Sequence, residues 1–173
     1  TTASTVRFIN DASNNTIQNC TVLGSSTAIA TGTIVFSTAD ATLLLGNGNN
    51  TISNCTLDGS GANLPSTAIL CSGTATAGQE NSNITISNNN IANFFSATII
   101  SSGIAITAGG TNWSITNNKL YQTATRIYTT ANTHKGIAVL TGAGYNISGN
   151  IIGYANASGT GTTNMVGNSV ALN

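Results

Sequence analysis

The chain has 173 residues, of which 5% are charged, and its formal net charge is zero. This argues against nucleic-acid binding and against anionic membranes, which both draw on clustered Lys and Arg, because Arg7, Lys119, Arg126 and Lys135 are scattered along the sequence. Asn, Thr, Ser and Gly fill about half the chain while hydrophobic residues reach 40%, which suits many short strands between polar turns and disfavours long helices.

No apolar run approaches the roughly 18 residues that span a bilayer, so no membrane insertion is expected. The chain starts at Thr1 without a signal-peptide-like series, and it reads as a processed or excised piece of something longer. In chain order, VRFI (6–9) precedes NNTIQNCTV (14–22), TLLL (42–45) precedes NNTISNCTL (49–57), and AILC (68–71) precedes NITISNNNI (83–91). GIAI (103–106) then precedes NWSITNNKL (112–120), GIAV (136–139) precedes GYNISGNII (144–152), and SVAL (169–172) comes last.

The longer motifs align on Ile17, Ile52, Ile86, Ile115 and Ile147, at spacings of 35, 34, 29 and 32 residues. Apolar residues recur five positions after each anchor, at Val22, Leu57, Ile91, Leu120 and Ile152. Positions of unlike parity on a straight strand face opposite ways, so a bend must lie between the two. The Asn residues supply it, because Asn adopts the left-handed conformation of tight turns: Asn88 with Asn89, Asn117 with Asn118, and Asn19, Asn54 and Asn150 in the other copies. Stacked copies would set these residues in an Asn ladder. The expected fold is all-β, a right-handed parallel β-helix (β-solenoid) of about five rungs with variable loops, residues 1–173 forming one segment.

The strings NNTISNCTL, ENSNITISNNNIANFF, TNWSITNNKLYQTATR and GYNISGNIIG resemble repeats of very large secreted surface proteins of Bacteroidetes-type bacteria. Those proteins carry right-handed β-helix regions and use the type IX secretion route. The resemblance implies an extracellular or cell-surface location and a structural, stalk-like or adhesive role, and it supplies no catalytic residues. The first and last segments, STVRFIN and NSVALN, are strand-like without a capping element. Continuing repeats or end-to-end self-association are therefore expected as partners.

Few residues are left for chemistry. Asp11, Asp40, Asp58 and Glu80 do not align in the repeat, so neither paired carboxylates nor a metal cage is expected. No catalytic residue, metal site or cofactor is assigned. The segment Tyr121–Lys135 gathers Tyr121, Arg126, Tyr128, His134 and Lys135, a set suited to stacking on sugars and bonding their hydroxyls, with coverage of the core edge as the competing reading. His134 is expected as a solvated loop residue, Trp113 as core, and at least one of Phe94 and Phe95 beneath the loop.

The positions flanking each anchor Ile are mostly Thr and Ser, a grid that an ice-binding face would use and that cross-strand bonding would also explain. Cys20 and Cys55 share one column, where the rung spacing is slightly long for a relaxed disulfide, and free thiols are expected. Cys71 is expected in the core. The Asn-x-Ser/Thr sequences at Asn14, Asn49, Asn83 and Asn112 receive no role.

Overall fold

The computed structural model describes residues 3–37, 45–167 and 170–172. Among these residues the chain is all-β without helix, and its named strands pair only in parallel. Each large sheet takes one strand from each successive copy of the repeat. The first sheet holds β1 (Val6–Phe8), β4 (Ile34–Ser37), β7 (Thr67–Ser72), β11 (Ser101–Ala108), β16 (Asn132–Val139) and β20 (Val170–Leu172). The second holds β2 (Thr16–Gln18), β5 (Thr51–Ser53), β9 (Thr85–Ser87), β13 (Ser114–Thr116) and β17 (Asn146–Ser148). The third holds β3 (Thr21–Gly24), β6 (Thr56–Gly59), β10 (Asn90–Ala92), β14 (Lys119–Tyr121) and β18 (Ile151–Tyr154). Two small sheets pair β8 (Asn81–Ser82) with β12 (Gly110–Thr111), and β15 (Arg126–Tyr128) with β19 (Met165–Gly167).

The anchor isoleucines stand in register as the alignment requires, Ile17 on Ile52, Ile86, Ile115 and Ile147. So does the second apolar column, Val22 on Leu57, Ile91, Leu120 and Ile152. Side chains from all three large sheets meet in one buried cluster that includes Phe36, Ile69, Ile104, Ile52, Ile86, Leu57 and Ile91. Trp113 lies inside it, edge-on to Phe36 at 5.1 Å, with its indole N–H donating to the carbonyl of Asn81 at 2.7 Å.

Between β1 and β7 the first sheet takes β4, a segment that the repeat alignment did not mark, whose Ile34 and Phe36 both point into the core and pair with Ile69 and Cys71. Of TLLL (42–45), residues 42–44 lie outside the described residues, and Leu45 is exposed. In the third sheet Tyr121 pairs with Tyr154, because a register shift follows Leu120.

The Asn residues divide into two roles. Asn19, Asn54, Asn88 and Asn117 hold the left-handed conformation with φ between 53 and 57° and lie exposed at the bend. A second left-handed column, at Asn14, Asn49, Asn83 and Asn112, opens each motif. These are four of the Asn-x-Ser/Thr positions, and turn geometry accounts for Asn there. The next residue after the bend turns inward. Asn89 Nδ2 donates to Asn118 Oδ1 at 2.9 Å, Asn118 Nδ2 to Asn150 Oδ1 at 3.0 Å, and Asn150 Nδ2 to the carbonyl of Ile115 at 2.7 Å. Each side chain thereby satisfies backbone groups that the bend removes from the sheet ladders.

The sequence pattern missed two shorter ladders of the same kind. Asn15 Nδ2 donates to Asn50 Oδ1 at 3.0 Å, and Asn47 Nδ2 to Asn81 Oδ1 at 2.8 Å. Cys20 is exposed, Cys55 and Cys71 are buried, and all three are free thiols.

Candidate functional site

The segment after β14 is not an open loop. The chain turns at Gln122–Thr125, forms β15 and enters β16, whose first residues continue the first sheet beside Ser101 and Ser102. Strand alternation then sends His134 inward and Lys135 to the other face. His134 is 7% exposed, which overturns its reading as a solvated residue. Its ring stacks on Phe94 with centroids 5.0 Å apart and planes 13° apart.

Tyr128 is also buried, at 1% exposure, edge-on to Phe95 at 5.0 Å. Its hydroxyl donates to Ser101 Oγ at 3.0 Å and lies 3.2 Å from His134 Nδ1. Burial pushes the Tyr128 phenol above its usual range, partly offset by Ser101. Burial, with the field of Arg126 second, pulls His134 from 6.5 down to about 4. His134 is therefore a neutral imidazole near pH 7.

Arg126 is half-buried. Its Nε donates to Gln122 Oε1 at 2.8 Å, its guanidinium also bonds Asn93 Oδ1, and it lies 5.7 Å from the centre of the Phe95 ring. Asn93 in turn donates to Asp58 Oδ1 at 2.7 Å. Burial lowers the pKa of Arg126 while Asp58 opposes the shift, and Tyr121 is raised by burial first and Asp58 second. Asn93 thus bridges Asp58 and Arg126.

Of the sequence-selected residues, Tyr128 and His134 meet directly and are buried. Tyr121, Arg126 and Lys135 remain partly exposed. The residues that hold the cluster together, Asn93, Phe94, Ser101 and Gln122, carried no such signal, although the phase of β16 against β11 would have placed His134 beside Ser101. Beside the stacked rings a cleft of about 340 Å³ opens, lined mainly by apolar surface from Phe94, Leu120, Tyr121, His134, Gly136 and Ile152. Among the described residues no three His, Cys, Asp or Glu side chains come together as a metal set would require.

Compared with family models, curated proteins and solved structures, the chain matches none of them.

Proposed function

We propose that this chain is a structural or adhesive module, a right-handed parallel β-helix segment of about five coils in a large extracellular bacterial surface protein or filament, and that it carries no catalysis. The right-handed sense follows from the strong chirality preference of parallel crossovers. The repeat residues support the structural reading, because Ile, Asn and Gly are consumed by packing, ladders and turns.

One observation carries it. Ile115 and Leu120 are 0% and 1% exposed, whereas their register partners in the last copy, Ile147 and Ile152, are 44% and 50% exposed. Among the described residues β17 and β18 each have a single strand neighbour. An apolar floor beside unpaired backbone is suited to receive a further coil or another copy. Multi-angle light scattering of the chain across a concentration series tests this, with and without Ile152→Lys. Mass should rise with concentration, and the lysine should suppress the rise. A strictly monomeric species with protected amides in Asn146–Ser148 and Ile151–Tyr154 would overturn the reading.

The carbohydrate-binding alternative has Tyr121, Arg126 and Lys135 as its partly exposed contacts, and the ice-binding alternative rests on the rows beside the anchor isoleucines. There Thr16, Thr51, Thr85, Ser114 and Asn146 stand in register, so Asn146 breaks the hydroxyl row at its end.

A further inference from the structure

We propose that the cleft beside Phe94 and His134 binds a compact, neutral aromatic molecule carrying one hydrogen-bond donor, of the phenol class.

The direction of the proton chain carries this assignment. The hydroxyl proton of Tyr128 goes to Ser101 Oγ at 3.0 Å, and that of Ser101 goes to the carbonyl of Ser96 at 3.4 Å. Ser101 Oγ also accepts the backbone N–H of Ser96 at 2.9 Å. With the Tyr128 proton committed, the 3.2 Å contact between Tyr128 and His134 requires the imidazole to donate from Nδ1. A neutral imidazole protonated at Nδ1 has an unprotonated Nε2, a pure acceptor. His134 lines the cleft and Tyr128 does not, and with Nδ1 turned to Tyr128 we assign Nε2 as the ring nitrogen that serves the cleft. Nε2 has no hydrogen-bond partner among the described residues.

The other polar groups nearby are largely engaged. Gln122 donates to the carbonyl of Phe94 at 3.0 Å and accepts from Arg126 at 2.8 Å, and Thr163 Oγ1 donates to Tyr154 at 2.7 Å. A saturated or donor-free ligand leaves Nε2 unpaired, which costs binding energy. A carboxylate sets lone pairs against the lone pair of Nε2, and a cation meets the field of Arg126. A volume of about 340 Å³ suits one ring with small substituents, and Phe94 and Leu120 give that ring aromatic and apolar neighbours in the cleft wall.

The test is titration of the full chain by calorimetry and ligand-observed NMR with phenol, toluene and benzoate, alongside His134→Phe and Thr162→Phe. Saturable phenol binding is expected, with toluene about tenfold weaker and benzoate not bound. His134→Phe should abolish the preference of phenol over toluene, and Thr162→Phe, at the exposed rim, should block phenol without moving the unfolding midpoint. The nitrogen spectrum of His134 should show Nε2 unprotonated in the free protein and shifted by phenol. Equal affinity for phenol and toluene, no saturable binding of either, or a protonated Nε2 in the free protein at neutral pH would each overturn the assignment. Ile152 belongs both to this cleft and to the apolar end face, so the titrations are run at a concentration where light scattering gives the monomer. Failure to bind there counts against the cleft alone, and failure to associate at higher concentration counts against the structural role alone.

Discussion

Asn118 Oδ1 accepts two hydrogen bonds from Asn89, one from its side-chain Nδ2 at 2.9 Å and one from its backbone N–H at 3.0 Å. Asn118 Nδ2 returns a bond to the carbonyl of Ile86 at 2.8 Å. Both residues are buried, so removing the carboxamide strands groups that water cannot reach. Asn118→Ala should destabilise the chain by about 2–4 kcal/mol, since each orphaned buried group costs roughly 1–3 kcal/mol and neighbours do not add fully. Asn118→Cys should cost less, because in the same column Cys55 Sγ lies 3.6 Å from the carbonyl of Ile17. Urea unfolding at constant m-value measures both.

The bend itself makes a different demand. Asn54 is exposed with φ 53°, so its substitution tests backbone conformation with little change in packing. Asn54→Gly should lie within about 0.5 kcal/mol of the parent, whereas Asn54→Ala should lose about 1 kcal/mol. In a chain of this size that is a fall of roughly 2–4 °C in thermal midpoint for Ala alone. Equal losses for both would mean that the side chain, and not the left-handed backbone, is what the bend needs.

What the sequence made legible follows from this division. The anchor Ile, the apolar residue five positions on and the Asn between them recur because each coil must meet the same packing and the same bend. They could be aligned without any structure. β4 went unmarked because the chain between β4 and β5 is longer than its counterpart between β1 and β2, so position relative to the anchor stopped being informative. His134 and Tyr128 were hidden for another reason. The first half of β16 is polar in sequence, with Gly136 where an inward apolar residue would have marked the phase; in β15 the apolar Ile127 faces out while Tyr128 faces in, and the buried hydroxyl and imidazole satisfy one another. Burial without hydrophobicity leaves no periodic trace.

The thiols should separate by accessibility. Cys20 is exposed, while Cys55 and Cys71 are 1% and 0% exposed, and burial pushes Cys71 from 9.0 up to about 11. The thiolate is the reactive form. Under native conditions near pH 8 a thiol-specific reagent should label one group quickly, and denaturation should release all three cysteines of the sequence. A denatured count of one would mean that a disulfide joins two of them, against the free thiols of this structure.

His134 gives the fold a one-sided dependence on pH. Its pKa falls from 6.5 in the unfolded chain to about 4 in the folded one, through burial and then Arg126. Above 6.5 the imidazole is neutral in both states and contributes no slope. Below 6.5 the unfolded chain takes up a proton that the folded chain refuses, so stability declines as pH falls, by up to about 1.4 kcal/mol per pH unit. The decline levels off near pH 4, where the folded imidazole also protonates. Between about pH 7 and about pH 5 the expected loss is about 2 kcal/mol. His134→Phe removes the imidazole while keeping a ring against Phe94. The variant starts less stable, because Tyr128 loses its Nδ1 partner, but its stability should change little across the same interval. Urea midpoints of both proteins at the two pH values decide it: parallel declines would place the titrating group elsewhere.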